Sequence, residues 1–237
     1  MPIDFCPGYT SGPFKTLARN YPGPDVYPTD DFRTEWGPIF HRGRLNGTAR
    51  VLVIGQDPAQ SEAVVRRILV GNAGKRVQGF LHKLGIRKRY VILNAYVYSV
   101  FGQQAGNAHI DNAQIAAYRN LWIAGVLDKS PIEAVVVFGG LARKAWEAAA
   151  ATATMLAKYN AAIVRIRLAL GATDAAAAPL YGYAFIDADL PDIPMMDLPP
   201  GVPTWMSTEE EWAKRIGETA AIKRRTIQIA VPLSVPL

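Results

Sequence analysis

The sequence predicts an α/β fold, a three-layer α/β/α sandwich around a central, mainly parallel, four-stranded sheet. Two patterns predict it. Short apolar runs recur along the chain, RVLVIG at 50–55, YVILN at 90–94, AVVVF at 134–138 and YAFI at 183–186, and stretches of helical spacing separate them. Strands alternating with helices build βαβ units, which close into a parallel sheet between helical layers. Runs without apolar–polar alternation are strands covered on both faces, as such a sheet requires.

Each element has its own signal. Residues 1–48 are rich in Pro, Gly, Tyr and Asp without a sustained period. They predict an irregular arm that packs over the core through Tyr21, Tyr27, Phe32 and Trp36. The first strand ends at Gly55, and Gln56-Asp57-Pro58 follows as a loop at its carboxyl end. In Gly74–Leu84, Val77, Phe80, Leu81 and Leu84 fall on one helical face, and Gly85 is placed to end that helix. The second strand closes on Asn94. Ile110–Leu127 reads as a helix with Asp111 near its start and Tyr118 and Trp122 one turn apart. Gly139-Gly140 opens a helix carrying Ala142, Ala145 and Trp146, and a further helix covers Ala153–Leu170. After the strand at 183–186 comes a proline-rich loop (190–203). Ser207-Thr-Glu-Glu210 then matches the S-x-x-E capping box, starting a helix that runs to about Arg225.

Composition bounds the function. The chain has 237 residues, is 50% hydrophobic and shows no compositional break, so one domain over 1–237 with its own core is expected. Its one cysteine, Cys6, excludes an internal disulfide and any zinc or iron–sulfur cluster held by cysteines; no cofactor is expected. The opening MPIDFCPGYTSGPFK lacks the basic-then-apolar plan of a signal peptide, and no apolar run reaches the length of a membrane span, so a cytoplasmic, membrane-free protein is expected. The net charge of +6 suits a phosphate-rich partner, since each neutralised phosphate releases counterions, although many basic proteins bind nothing acidic.

In open α/β sheets ligands bind outside the carboxyl ends of the strands, where Gln56-Asp57, Asn94 and Gly139-Gly140 stand. Four elements there, GQDP at 55–58, LVGNAG at 69–74, LNAYVYSV at 93–100 and VVFGGLARKAW at 136–146, together resemble the uracil-DNA glycosylase superfamily. GQDP is similar to the first catalytic motif of its classical enzymes, GQDPYH. LVGNAG is similar to the FVGxAG of its iron–sulfur branch, although the cysteines of that branch are lacking. LNAYVYSV is similar to the strand whose asparagine reads the base. The resemblance covers about residues 50–150.

The resemblance implies hydrolysis of the N-glycosidic bond of uracil in DNA, leaving an abasic site, with DNA as partner and a monomeric enzyme. Asp57 is the catalytic candidate: a carboxylate there can orient water and stabilise the positive charge that develops on the sugar. An Asp-Pro step also caps turns, and only the accompanying motifs favour catalysis. Asn94 is the base reader, because a side-chain amide offers a donor and an acceptor to uracil's O4 and N3–H, a pattern that cytosine reverses. Gly55, Gln56 and Leu69 complete the substrate-binding set, with Gln56 as plausible in the core or in solvent. Gly71 and Asn72 offer backbone N–H groups to a phosphate or to the base's O2, a plain helix entry being equally consistent. Lys75 and Arg76 are candidate DNA contacts, as are the runs Arg66-Arg67, Arg87-Lys88-Arg89 and Lys223-Arg224-Arg225.

Three departures narrow the expectation. Leu69 stands where the iron–sulfur branch has a stacking phenylalanine, leaving Phe80 or Tyr96 as substitutes. Ala59 stands where a tyrosine excludes thymine. The His-Pro-Ser motif, whose histidine stabilises the leaving uracil anion, is lacking; the matching segment is Pro199–Ser207, with Val202, Trp205 or Met206 as the duplex wedge. Of the three histidines, His109 is expected at a helix start facing solvent, His82 on a solvated helix face and His41 in a basic turn. Backbone N–H groups or a Lys/Arg then meet the anion. Alternatives are a glycosylase for hypoxanthine or xanthine, a non-catalytic uracil-DNA binder, and a small-molecule nucleotide-binding α/β protein.

Overall fold

The computed structural model describes residues 12–146, 155–173 and 191–198. In chain order its elements are α1 (Gly12–Arg19), β1 (Arg42–Gly43), β2 (Val51–Gly55), α2 (Gln60–Val65), α3 (Asn72–Lys83), β3 (Tyr90–Asn94), α4 (Gly102–His109), α5 (Ala113–Lys129), β4 (Ala134–Val137), α6 (Gly140–Trp146) and α7 (Met155–Ala169). The sheet has the order β1-β3-β2-β4. β2 runs parallel to β3, with Val51 beside Tyr90 and Gly55 beside Asn94, and parallel to β4, with Val51 beside Ala134. The expected mainly parallel, four-stranded α/β architecture is present.

Every residue of β2 and β3 is buried, which is why their sequences show no alternation. Successive side chains still point to opposite faces. Leu52, Ile54, Val91 and Leu93 join Phe14, Ile115, Trp122 and Val126 in one core layer. Val51, Val53 and Ile92 join Val77, Phe80, Leu81 and Ile163 in the other. Each of these aliphatic side chains contributes roughly 1.5–3 kcal/mol by leaving water. Helices α1 and α5 therefore cover one face, and α3 and α7 the other.

Three of the four expected strands are β2, β3 and β4. Tyr183–Ile186 lies outside the described residues, as does the helix from Ser207. Among the described residues the fourth strand of the sheet is Arg42–Gly43, antiparallel to β3 with Arg42 opposite Ile92. Two residues, one charged and one glycine, carry no strand pattern; the pairing comes from the neighbour. The arm is correspondingly less irregular than its composition predicts, contributing α1 as well as this edge. Tyr27 and Phe32 anchor it, fully buried with ring centroids 4.9 Å apart, whereas Tyr21 stays 40% exposed.

Helix boundaries moved for identifiable reasons. α5 starts at Ala113 because Asn112, not Asp111, caps it, its side chain accepting from Gln114 N at 3.0 Å and Ile115 N at 3.1 Å. α3 ends as expected before Gly85, whose N–H bonds His82 O at 2.9 Å. α2 and α4 were not anticipated; the first is less than two turns long, and the second, GQQAGNAH, has no stripe of large apolar residues to mark it. At the sheet edge, buried Arg42 and Arg44 share the buried carboxylate of Asp197 at 3.4 and 3.3 Å. This ties 191–198, the described part of the proline-rich loop, to the edge strand.

Candidate functional site

Asp57 and Asn94 come together because β2 and β3 are parallel neighbours in register. Gly55 lies beside Asn94, and two residues later the chain presents Asp57. The two strand ends are stitched by backbone bonds, Ala95 N to Gly55 O and Tyr96 N to Gln56 O, both at 3.0 Å. Phe138 N adds a bond to Ile54 O at 2.9 Å from the end of β4.

Asp57 is half-buried, and its Oδ2 accepts the Val100 N–H at 3.0 Å. That bond fixes the carboxylate without removing it from solvent. Burial pushes its pKa up from the ordinary aspartate value, and the nearby charge of Glu62 pushes the same way; the Val100 N–H and the Gln56 side chain oppose them. The result is a carboxylate with more proton affinity than one in water, the property of a group that must take a proton.

Asn94 is 7% exposed, and neither Oδ1 nor Nδ2 has a hydrogen-bond partner among the described residues. Buried polar atoms are almost always paired, and each orphan costs about 1–3 kcal/mol. Its neighbour explains how the amide fits. A Cβ on Gly55 would stand 2.4 Å from Asn94 Oδ1 and 3.5 Å from Leu69 Cδ1. Glycine at 55 thus gives the amide room, and Leu69 borders the same space.

The loop carrying Leu69 is strained. Arg66 and Leu69 have φ of 62° and 53°, a left-handed conformation that costs a side-chain-bearing residue about 1–2 kcal/mol. Gly74 admits the turn, since a Cβ there would stand 1.6 Å from Leu69 O. Gly71 and Asn72 enter α3, Lys75 closes its first turn and Arg76 opens the second, Arg76 exposed and Lys75 3.6 Å from Asp192. Gln56 is half-buried, with its Oε1 facing Gly139 at the foot of α6. GQDP, LVGNAG, Asn94 and Gly139 therefore converge at the carboxyl end of the sheet.

Other expectations are corrected. Phe80 and Tyr96 are fully enclosed and already occupied, Phe80 edge-on to Phe138 at 5.4 Å and Tyr96 donating to Gly106 O. Neither presents a face to a base. His109 ends α4 and does not face solvent: its Nε2 lies 2.7 Å from Asp31 Oδ2, and its ring packs on Phe32. His41 is fully buried, and half-buried His82 has its pKa lowered by burial and then by Arg87.

Two basic runs are not on the site. Arg66 donates to the backbone oxygens of Trp36 and Pro38, and Arg67 is 3% exposed. Arg87-Lys88-Arg89 precedes β3, at the end of the sheet roughly 13 Å from Asn94 along the five-residue strand. Val202, Trp205, Met206 and Lys223-Arg224-Arg225 lie outside the described residues.

The sequence reading missed Glu62 in α2. It is buried, and its carboxylate accepts the N–H groups of Ala59 at 3.1 Å, Val70 at 2.9 Å and Gly71 at 3.4 Å. An acid three residues after a helix cap is half of a capping box, but Ala59 supplies no side-chain oxygen for the other half, so the motif did not show.

Compared with known proteins, residues 42–184, more than half of the chain, match the family model of the uracil DNA glycosylase superfamily. The match contains all four site elements. The chain matches no curated protein.

Proposed function

The chain belongs to the uracil DNA glycosylase superfamily, DNA glycosylases that act on damaged bases, and from that premise we propose that it excises uracil from DNA and leaves an abasic site. The observation that carries the reading is the buried amide of Asn94, unpartnered among the described residues, beside the loop of Asp57. A flipped uracil satisfies both atoms at once, its N3–H donating to Oδ1 and its O4 accepting from Nδ2. Cytosine sets donor against donor and acceptor against acceptor there and is disfavoured, whereas thymine shares uracil's edge and is told apart only by its 5-methyl group.

In the reaction the N1–C1′ bond breaks with its electron pair leaving on the base. Water bonds to C1′ and gives its proton to Asp57, whose carboxylate also stabilises the oxocarbenium-like sugar. Gln56 and Leu69 line the base, and the Asn72 amide with Lys75 and Arg76 holds backbone phosphates, the Gly71 N–H being taken by Glu62. The leaving anion is met by backbone N–H groups or a cation in place of a histidine. Loss of one such donor costs about 10²–10³ in rate, so a slow enzyme is expected. No Schiff-base lysine enters the scheme, so the strand is left intact. The same reading has the protein act as a cytoplasmic monomer.

Ala59 favours one second reading. It is exposed at the mouth of α2 and carries only a methyl group where thymine would have to be blocked, which leaves room for other deaminated bases such as hypoxanthine or xanthine. End-labelled duplexes carrying U·G, U·A, T·G, hypoxanthine·T or xanthine·C, scored for alkali-labile sites, test both. Cutting at uracil that Asp57→Asn and Asn94→Ala suppress supports the first reading, and cutting at hypoxanthine or xanthine alone the second. Tight uracil-DNA binding without turnover would leave a non-catalytic binder.

A further inference from the structure

The two loops that must act together are separate in the chain. One carries Asp57 and ends at Ala59; the other runs from Leu69 to Gly74 beside Asn94. Among the described residues one side chain bonds to both. Glu62 Oε2 accepts from Ala59 N, and Oε1 accepts from Val70 N and Gly71 N. The side chain is 5% exposed, and no lysine or arginine among the described residues forms a salt bridge with it. Its carboxylate oxygens are met by three main-chain donors at 2.9–3.4 Å. Pro58 stiffens the step from Asp57 to Ala59, so a displacement of Glu62 Oε2 carries to the catalytic carboxylate. On the other side, Leu69 directly precedes the bonded Val70 and holds a left-handed conformation. A strained residue keeps its place only when its surroundings over-determine it, and the bond to the next residue does that.

We propose that Glu62 is a positioning residue that sets the distance between Asp57 and the base-holding loop, an inference that rests on the glycosylase reading. It touches neither base nor water. It acts through two backbone segments, and both of its oxygens are needed.

Glu62→Gln separates this role from simple support of the fold. Glutamine is nearly the same size but has one acceptor. Its oxygen serves one loop, and its NH₂ then meets the N–H of the other, donor against donor. Glu62→Asp keeps the charge on a side chain one methylene shorter, which does not span the gap. Three measurements on the full chain are combined: thermal unfolding, amide hydrogen exchange of segments 56–60 and 69–74, and single-turnover excision from a uracil duplex at saturating enzyme.

Both variants are expected to stay folded at the assay temperature, to exchange faster in one or both loops, and to excise about 10²-fold more slowly, the cost of misplacing reacting groups by about 1 Å. Affinity for undamaged duplex is expected to fall far less than the excision rate, because the side chains of Lys75 and Arg76 keep their phosphate contacts. Unchanged excision despite faster exchange would overturn the proposal. So would a rate loss matched by the lost folded fraction, or full rescue by Glu62→Asp, which would assign the effect to charge alone. A wild-type chain that excises no base would defeat the glycosylase reading and the catalytic half of the proposal with it; the exchange measurement would still decide whether Glu62 couples the loops.

Discussion

Replacing Gly55 by alanine perturbs the base reader without touching it chemically. The new methyl would stand 2.4 Å from Asn94 Oδ1, whereas ordinary contact begins near 3.4 Å, so the amide must retreat by about 1 Å. The next atom, Leu69 Cδ1 at 3.5 Å, is already at ordinary distance, so the displacement falls on Asn94. A hydrogen bond of about 2.9 Å stretched by that amount passes the limit of useful geometry. Two neutral bonds to the base are then weakened, worth about 0.5–1.5 kcal/mol each, or together about 5- to 150-fold in rate. The expected outcome is a loss of about 10²-fold in kcat/KM on uracil duplexes. The Tm should stay close to the parent value, because alanine in an extended strand is at least as favourable as glycine. Asn94→Ala sets the limit of the effect, and the double variant should fall no further, since both changes remove one interaction. Initial-rate kinetics of the four proteins, with unfolding curves, make the test. Losses that add in the double variant, or near-parental kcat/KM in folded Gly55→Ala, would refute the placement of the amide in the base site.

Three further outcomes follow from the same geometry. Because burial raises the Asp57 pKa and catalysis needs its ionised form, the acidic limb of the single-turnover pH profile should lie above the ordinary aspartate value of about 3.9 and vanish in Asp57→Asn. By linkage, a carboxyl whose folded pKa is raised stabilises the fold below its unfolded value and loses that contribution as pH rises through the folded one. Urea unfolding should therefore find Asp57→Asn no less stable than the parent at pH 7, where the parent's carboxylate is charged. Gly74→Ala sets a Cβ 1.6 Å from a backbone oxygen that no rotamer can move, so denaturant unfolding should show a loss at the upper end of overpacking costs, about 3 kcal/mol. Arg76→Ala should lower the salt slope of duplex binding by about one ion, while Arg87→Ala at the far end of the sheet should leave it unchanged; fluorescence anisotropy across salt concentrations reads both.

Much of the frame was legible from residue order. VLVIG and YVILN announce strands buried on both faces because a continuous apolar run has no other economical place in a chain of this kind. Their carboxyl-terminal Gln56-Asp57 and Asn94 mark the site because parallel strands deliver their ends to one edge. These are local signals, written in consecutive residues, and GQDP with LVGNAG points to the same edge.

What tertiary structure decided is everything carried by partners distant in sequence. The edge strand Arg42–Gly43 exists because β3 offers unpaired backbone groups, not because two such residues prefer extension. His109 is drawn to Asp31, 78 positions away, and the Arg66-Arg67 pair is consumed by nearby backbone oxygens. Phe80 and Tyr96 are aromatic and close in sequence to the site, yet the core takes them. Glu62 carried no motif because its partners are main-chain N–H groups, which every residue but proline has. Residue order states which chemistry is present. Whether a side chain is spent on the fold or kept for a substrate is settled by the neighbours that folding brings within hydrogen-bond range.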